Sequence, residues 1–313
     1  MGLQYGLQTT LKAYPMTYDL ETAESAITLI DLAHREDLSQ GVDLSSEIMI
    51  DPEATGSAQI VARETGIACG LCLITPILDR FNANVEVEFQ LSDGDKVEKD
   101  QTVVEFRGNA QDILRAERTV LNFIGRLSGI ATLTNNFMAE IQGTGAKVFD
   151  TRKTTPGWRR LEKYAVRCGG GENHRMGLYD AILIKDNHLC ISKEKIPDWS
   201  GIVQLAFKNA KNRWPEIIIQ IEVDTLSQLE TILPLEPNIV LLDNMSLHDL
   251  RTAVDMRANL PVLLEASGGV NLKSIREIAE TGVERISVGA LTHSAINFDW
   301  GMDWQSFDRL LTN

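Results

Sequence analysis

The sequence predicts an α/β protein in which a strand-rich N-terminal module is followed by an incomplete β/α barrel. Before residue 110, short segments alternate apolar with polar residues; after residue 145, near-continuous apolar strands alternate with helices. Strands of the second kind are typical of a parallel sheet that is covered on both faces. Six such strands are visible where a complete barrel has eight, so we expect an incomplete barrel. A flat, doubly wound sheet is the alternative.

The chain of 313 residues is long enough for two domains or for one barrel with an added module. Its pattern predicts an irregular tail over residues 1–20, an N-terminal module over 21–130, and a barrel with a C-terminal extension over 131–313. The elements predicted in the N-terminal part are a helix over Thr22–Arg35, strands over Ser57–Ala62, Val85–Phe89 and Thr102–Phe106, and helices over Gln111–Leu127 and Ala131–Ile141.

The predicted barrel strands end in polar or glycine residues. These residues are Asp150, Lys185, Glu222, Asp243, Ser267 and Gly289. The helices predicted between and after the strands include Ser227–Leu233, Leu247–Arg257 and Leu272–Glu280. Because the chemistry of β/α barrels takes place at the C-terminal ends of the strands, these strand ends predict the position of a functional site.

Positive charge is concentrated around two of these strand ends. Residues 150–188 contain eight Lys and Arg against five Asp and Glu, a net charge of +3 in a chain of −14, so the other residues carry −17. Arg152, Lys153, Arg175 and Lys185, with His174, therefore predict a site for a small anion. The alternative is a solvated basic helix with its flanking loops.

The composition argues against nucleic-acid and membrane partners and favours a cytoplasmic location. An acidic chain lacks the broad basic surface that nucleic acid requires. No apolar run approaches the roughly 18 residues of a membrane span, and the N-terminus lacks the apolar core of a signal peptide. We therefore expect a cytoplasmic protein without nucleic-acid or membrane partners.

The four cysteines do not match a zinc site. Cys69 and Cys72 form a lone CxxC, and Cys168 and Cys190 stand apart from it. Zinc would need two further ligands at suitable spacing. We interpret these cysteines as small buried apolar residues, with a redox pair as the alternative.

Two loops and two carboxylates add to the predicted site. Ser267, Gly268 and Gly269 follow one strand and Gly289 the next, as in the phosphate cradle of many barrels; ordinary turn glycines, with Asn271 capping the next helix, are the alternative. Glu222 and Asp243 end successive strands and could bind ribose hydroxyls or Mg²⁺, or could pair with the basic residues.

Six segments together resemble the quinolinate phosphoribosyltransferase family in their order and spacing. They read DTRKTTPG, EKYAVRCGGGENHRMGLYDAILIKDNH, EVDTLSQLE, IVLLDNM, LEASGG and ISVGALTHSA, and the resemblance extends from about Arg35 to His293. It implies an N-terminal α/β sandwich-like module, an open β/α barrel, and a homodimer or an assembly of dimers with shared active sites. It also implies transfer of phosphoribose from phosphoribosyl pyrophosphate to quinolinate with Mg²⁺ and loss of CO₂, a step of NAD biosynthesis.

The resemblance also implies roles for individual residues. The quinolinate-binding positions are Arg118 (donated across the dimer), Arg152, His174, Arg175 and Lys185. The ribose, pyrophosphate and phosphate positions are Thr151, Lys153, Glu222, Asp243, Ser267, Gly268, Gly269 and Gly289. Lys153, Glu222 and Asp243 are the implied catalytic residues, and Glu222 and Asp243 the implied metal site.

One loop departs from the family pattern, and two other functions are alternatives. The family has a Gly-Asp-x-Thr loop after Glu-Asp-Leu, whereas Gly41–Ser45 is shifted by one residue here. The first alternative is a related pyrophosphorylase that acts on another base, and the second is a non-catalytic phosphate-binding barrel.

Overall fold

The computed structural model of the protein describes residues 19–39, 41–188 and 199–308. The predicted tail over residues 1–20 therefore lies almost wholly outside the described residues, as does Cys190. Among the helices that are described, none combines the length and the apolar character needed to cross a membrane.

The strands and helices are labelled in chain order. The strands are β1 Thr55–Ala62, β2 Gly66–Ile67, β3 Val85–Phe89, β4 Lys96–Val97, β5 Thr102–Asn109, β6 Lys147–Phe149, β7 Ile182–Ile184, β8 Ile219–Val223, β9 Ile239–Asp243, β10 Leu263–Ser267, β11 Arg285–Ser287 and β12 Trp300–Phe307. The helices are α1 Leu20–Leu38, α2 Leu44–Met49, α3 Ile74–Arg80, α4 Ala110–Glu140, α5 Arg159–Cys168, α6 Trp199–Arg213, α7 Leu226–Ile232, α8 Leu247–Arg257, α9 Ile275–Ala279 and α10 Ala290–His293.

The chain divides into two compact units, each built from separate stretches of sequence. The first contains the described parts of Met1–Leu133, Thr155–Gly170 and Ala295–Asn313. The second contains Thr134–Thr154 and the described parts of Gly171–Ser294. The boundaries predicted from the sequence stay a prediction.

The first unit contains a four-stranded antiparallel sheet in the order β12-β1-β5-β3. The strands β2 and β4 form a separate antiparallel pair. Helix α1 begins at a cap in which Asp19 Oδ1 accepts from Thr22 N at 2.8 Å. The loop Gly41–Ser45, which is shifted relative to the family pattern, also caps a helix. Asp43 caps α2 by accepting from Ser45 N and Ser46 N.

Helix α4 corrects one prediction. The sequence predicts two helices with a break near Ser128 and Gly129, but the structure has one helix of 31 residues. Ser128 Oγ accepts from Cys69 N and donates to Cys69 O, so this side chain bonds to a neighbouring segment. A Cβ at Gly129 would lie 2.0 Å from Ile296 O, so glycine allows that backbone to approach the helix. Tertiary packing therefore outweighs the local tendency to break.

The cysteines of the first unit lie in a polar cluster that consists of Cys69, Cys72, Asp93, Tyr164 and Cys168. Asp93 Oδ2 accepts from Tyr164 Oη at 2.7 Å and from Cys72 Sγ at 3.0 Å. Cys69 is fully buried, as the sequence predicts for an apolar role, whereas Cys72 is half-buried. Burial, followed by the charge of Asp93, raises the pKa of Cys72 well above its usual range. Such a thiol is a poor nucleophile, which argues against a redox pair.

The second unit contains a six-stranded parallel sheet in the order β6-β11-β10-β9-β8-β7. The first of these strands in the chain, β6, pairs with the last, β11. The described edges of the sheet are β6 and β7, which are the first two of its strands in the chain. A doubly wound sheet would instead reverse direction at an internal switch point. The order is that of a barrel with one opening, which confirms the predicted fold class.

The helix after β10 begins later than predicted. The sequence predicts a start near Leu272, but α9 begins at Ile275 and residues 272–274 form a turn. Asn271 Oδ1 accepts from Lys273 N, and Ser274 Oγ accepts from Asn271 N. These side-chain bonds hold the backbone in a turn where a helix would otherwise begin.

Candidate functional site

A cavity of about 490 Å³ opens at the C-terminal ends of the six parallel strands. It is lined by Thr151, Arg152, Lys153, His174, Arg175, Leu183, Lys185, Glu222, Leu241, Asp243, Ser267, Gly268, Gly269, Val270, Ser287, Gly289, Ala290 and His293. Twelve of the predicted site residues are among them. The thirteenth, Arg118, is exposed on α4 within the first unit.

Two guanidinium groups give one part of the cavity its positive charge. Arg152 Nε is buried and has no hydrogen-bond partner in the described part of the chain. Arg175 Nη1 donates to Ala181 O at 3.1 Å. Burial lowers the pKa of Arg175, the charge of Arg152 lowers it further, and Asp180 opposes the change. An anion bound between the two arginines would relieve their repulsion.

Lys185 and Glu222 form an ion pair inside the cavity. Lys185 Nζ lies 2.6 Å from Glu222 Oε2, and the carboxylate side chain is only 11% exposed. Lys185 follows β7 and Glu222 lies on β8, which is paired with β7 in parallel. The backbone of Lys185 is held by its N–H, which donates to His188 Nδ1 at 3.0 Å. His188 therefore orders this loop.

Asp243 lies on the same face of the sheet as Glu222. Glu222 is in register with Leu241, so the carboxylate two residues further along β9 points to the same side. Asp243 Oδ2 accepts from Asn244 Nδ2 at 2.7 Å. Two carboxylates thus follow one another around the rim of the cavity, close to its basic residues.

Two glycines of the predicted phosphate loops, Gly268 and Gly289, lie in close contact with neighbouring side chains. Gly268 has a φ of +99°, and a Cβ there would lie 2.1 Å from Asn244 Oδ1. A Cβ at Gly289 would lie 3.1 Å from both Lys153 Cδ and His293 Nε2. Glycine at these positions therefore leaves room for the neighbouring side chains and for a ligand that approaches the backbone.

Three groups near the cavity were not among the residues predicted to bind or catalyse, although Asp150 was predicted as a strand end. Asp150 is fully buried and accepts from His174 N and Asn173 Nδ2. Glu265 is also fully buried, and its Oε1 lies 3.4 Å from His174 Nε2. His293 lines the cavity beside Gly289. A charged residue inside the apolar segment PVLLEAS was a visible signal for Glu265, whereas nothing in the local sequence marked His293.

The carboxylates fit a Mg²⁺ ion that is held partly by substrate. No cluster of three His, Cys, Asp or Glu residues suited to a metal exists among the described residues. Glu222 and Asp243 nevertheless supply the oxygen ligands that Mg²⁺ prefers, and one or two carboxylates with substrate phosphates and water are its usual ligands.

Comparison with known proteins agrees with this geometry. The model described as quinolinate phosphoribosyl transferase, N-terminal domain, matches residues 43–128, and the C-terminal domain model matches residues 130–303. The carboxylating nicotinate-nucleotide pyrophosphorylase of Mycobacterium leprae is 39% identical over 285 residues, which cover 90% of this chain and 97% of the relative.

Two solved structures are similar over nearly their whole length. The nicotinate-nucleotide pyrophosphorylase of Francisella tularensis is 37% identical, with a TM-score of 0.82 and coverage of 90% of this chain and 96% of the other. NadC of Streptococcus pyogenes is 34% identical, with a TM-score of 0.83 and coverage of 95% and 100%. With two domain models matched in succession and a basic cavity at the barrel's strand ends, the chain belongs to the quinolinate phosphoribosyl transferase family.

Proposed function

We propose that the cavity joins quinolinate to the ribose of phosphoribosyl pyrophosphate and releases CO₂. The products are nicotinate mononucleotide and pyrophosphate, and the enzyme is a carboxylating nicotinate-nucleotide pyrophosphorylase, a pentosyltransferase of NAD biosynthesis. The observation that carries the proposal is the placement of Arg152 and Arg175 in one cavity with Glu222 and Asp243. Such a cavity has cations for an aromatic dianion and carboxylates for a ribose that becomes positively charged.

The base is assigned to the basic part of the cavity. Quinolinate is a planar pyridine with two adjacent carboxylates, so fixed guanidinium groups can bind it by paired hydrogen bonds. Arg152, Arg175 and Lys185 supply positive charge, and His174 lies beside them. The partner subunit's Arg118 is assigned to the same base, which requires a homodimer with shared active sites.

The phosphoribosyl donor is assigned to the remaining strand ends. Glu222 and Asp243 face the ribose, Lys153 and Thr151 the pyrophosphate, and the backbone of Ser267–Gly269 and Gly289 the phosphate. His293 is added to the phosphate group because it adjoins Gly289. Mg²⁺, when bound, neutralises pyrophosphate charge.

The reaction follows from the charges that develop. The pyridine nitrogen attacks the anomeric carbon as the bond to pyrophosphate breaks, and Glu222 and Asp243 stabilise the positive charge on the ribose. Lys153 stabilises the leaving pyrophosphate. The ribosylated nitrogen is cationic, so it accepts the electron pair released when the adjacent carboxylate leaves as CO₂; a proton replaces the carboxylate on the ring. Orientation and exclusion of water suffice for this step.

The direct test is release of CO₂. Incubation with carboxyl-labelled quinolinate, phosphoribosyl pyrophosphate and Mg²⁺ should release one CO₂ for each nicotinate mononucleotide formed. Turnover of a different base without CO₂ would favour the related pyrophosphorylase. Thermal stabilisation by the ligands without any turnover would favour a non-catalytic phosphate-binding barrel.

Compartment and assembly belong to the proposal as well. A cytoplasmic location and a homodimer, or an assembly of dimers, stay predictions from the sequence and its resemblance. Sedimentation of the purified chain tests the assembly, and a monomer with full activity would contradict the shared site.

A further inference from the structure

Glu265 contacts the cavity residues His174 and Ser287 but has no part in the proposed reaction. Its side chain is fully buried on β10. Glu265 Oε2 accepts from Arg285 Nε at 2.6 Å, and Oε1 accepts from Ser287 Oγ. The Arg285 guanidinium stacks 3.5 Å from the centroid of the Phe149 ring. Both oxygens of the carboxylate are thus fixed by side chains of one neighbouring strand, β11.

The same carboxylate faces one nitrogen of His174. His174 Nε2 lies 3.4 Å from Glu265 Oε1, and the His174 side chain is only 9% exposed. Burial by itself raises the pKa of Glu265, but the hydrogen bond from His174, the charge that His174 carries when it is protonated, the charge of Arg285 and the Ser287 hydroxyl lower it to about 2. Glu265 is therefore an acceptor only at neutral pH, so the proton of this bond resides on Nε2.

The other nitrogen of His174 is also engaged. The backbone N–H of Arg175 donates to His174 Nδ1 at 2.7 Å. A nitrogen that accepts a hydrogen bond carries no proton, so the two contacts together define the neutral imidazole with its proton on Nε2. The backbone of His174 is held as well, because its N–H donates to the buried Asp150.

We propose that Glu265 is a positioning residue that fixes the His174 tautomer, so that His174 Nδ1 holds the backbone of Arg175 in place for the anionic base. Through this chain of contacts, a carboxylate outside the cavity controls one of the two guanidinium groups within it. His174 then contributes as an uncharged support for Arg175. The inference rests on the proposed function only in naming quinolinate as the anion.

The first experiment compares two replacements of His174 that each keep one half of the imidazole. His174→Asn keeps an acceptor at the position of Nδ1, and His174→Gln keeps a donor at the position of Nε2. If the bond to Arg175 N–H is the functional one, His174→Gln should raise the KM for quinolinate about tenfold more than His174→Asn, with little difference in the KM for phosphoribosyl pyrophosphate. Equal losses in both variants, or a larger loss in His174→Asn, would overturn the proposal.

The second experiment observes the tautomer directly and needs no turnover. Nitrogen-15 spectra of the histidine rings in the ligand-free chain at neutral pH should show His174 with a protonated Nε2 and an unprotonated Nδ1. A doubly protonated ring, or a proton on Nδ1, would contradict the inference. In Glu265→Gln the ring should become a mixture of tautomers, and an unchanged ring in that variant would remove Glu265 from the assignment.

A matched control separates positioning from general destabilisation. Arg285→Lys disturbs the same carboxylate from Oε2 and should lower the melting temperature, yet leave His174 as the Nε2–H tautomer. Loss of the tautomer in this control would mean that any disturbance of the network has the same effect, which would refute a specific contact. Failure of the wild-type chain to bind quinolinate would refute the proposed function and leave the tautomer result standing.

Discussion

Each unit of the chain contains a group of partly buried polar side chains, and the two groups differ in whether their charges are satisfied internally. In the cysteine cluster of the first unit, Asp93 accepts from Tyr164 Oη, Cys72 Sγ and Leu71 N. In the cavity of the second unit, Arg152 Nε is buried without a described partner beside a second guanidinium, Arg175. Burial of polar groups is common to both, so a binding site is indicated by charge that the protein leaves incompletely neutralised.

The largest expected effect tests the cavity and its assignment to two subunits. Arg118→Ala and Arg175→Ala should each lower kcat/KM about a thousandfold, because each removes a cation from a dianionic base. Mixing the variants should restore about a quarter of wild-type activity, since half of the dimers are mixed and each mixed dimer has one complete site. Absence of recovery, despite subunit exchange demonstrated by native mass spectrometry, would refute the shared site.

The next effect concerns stability in acid. The pKa of Glu265 is lowered from 4.5 to about 2 in the folded chain, so the ionised group stabilises the fold above the unfolded value. This contribution, about 3 kcal/mol, should disappear as the pH falls from about 4.5 to about 2. The free energy of unfolding, measured with denaturant across that pH range, should depend more steeply on pH in the wild type than in Glu265→Gln. If the free energy of unfolding changed with pH equally in both proteins, ionisation of Glu265 would not contribute to stability in this range.

A smaller effect separates the two parts of the cavity. Lys185→Ala removes the ion-pair partner of Glu222 and a cation assigned to the base, so the KM for quinolinate should rise about tenfold. The KM for phosphoribosyl pyrophosphate should change by less than about threefold. Steady-state kinetics with each substrate varied in turn measures both, and equal changes would contradict the division between base and donor.

The smallest expected effect is a loss of stability when the cysteine cluster of the first unit is altered. Tyr164→Phe removes one donor to Asp93, so the free energy of unfolding should fall by about 1 kcal/mol while kcat/KM stays within about twofold. The exposed Tyr179 offers a matched control, since Tyr179→Phe removes a hydroxyl at the surface of the second unit. A large loss of activity in Tyr164→Phe with unchanged stability would mean that the cluster is functional.

Local patterns predicted the barrel strands and most of the cavity residues. Each barrel strand is indicated by a short apolar run followed by a polar residue or glycine, and these residues are contiguous in the sequence. Lys185 and Asp243 could therefore be placed at strand ends before their neighbours were known. Most of the twelve cavity residues lie at or just after the C-terminal ends of parallel strands, which meet at one edge of the barrel, whereas His174 and Arg175 precede β7 and Thr151 was implied by the family resemblance.

The features that the sequence did not reveal depend on contacts between distant segments. Helix α4 continues through Gly129 because that glycine packs against Ile296, which lies 167 positions later. Glu265 contacts His174, which lies 91 positions earlier in the sequence, so the residues around Glu265 do not predict this contact. The turn before α9 depends on side-chain bonds of Asn271 that compete with helix formation.

The position of β12 has a consequence for the synthesis of the chain. The strand forms the edge of a sheet whose other members were made some two hundred residues earlier, and it pairs with β1 along Gly56–Ala62. While the ribosome is still translating the barrel, β1 lacks this neighbour and offers bare amide and carbonyl groups to other nascent chains. The N-terminal sheet can thus reach its final state only after residues 300–307 have been made, and a stop codon just before Trp300 would yield an aggregation-prone product even though every cavity residue had been made.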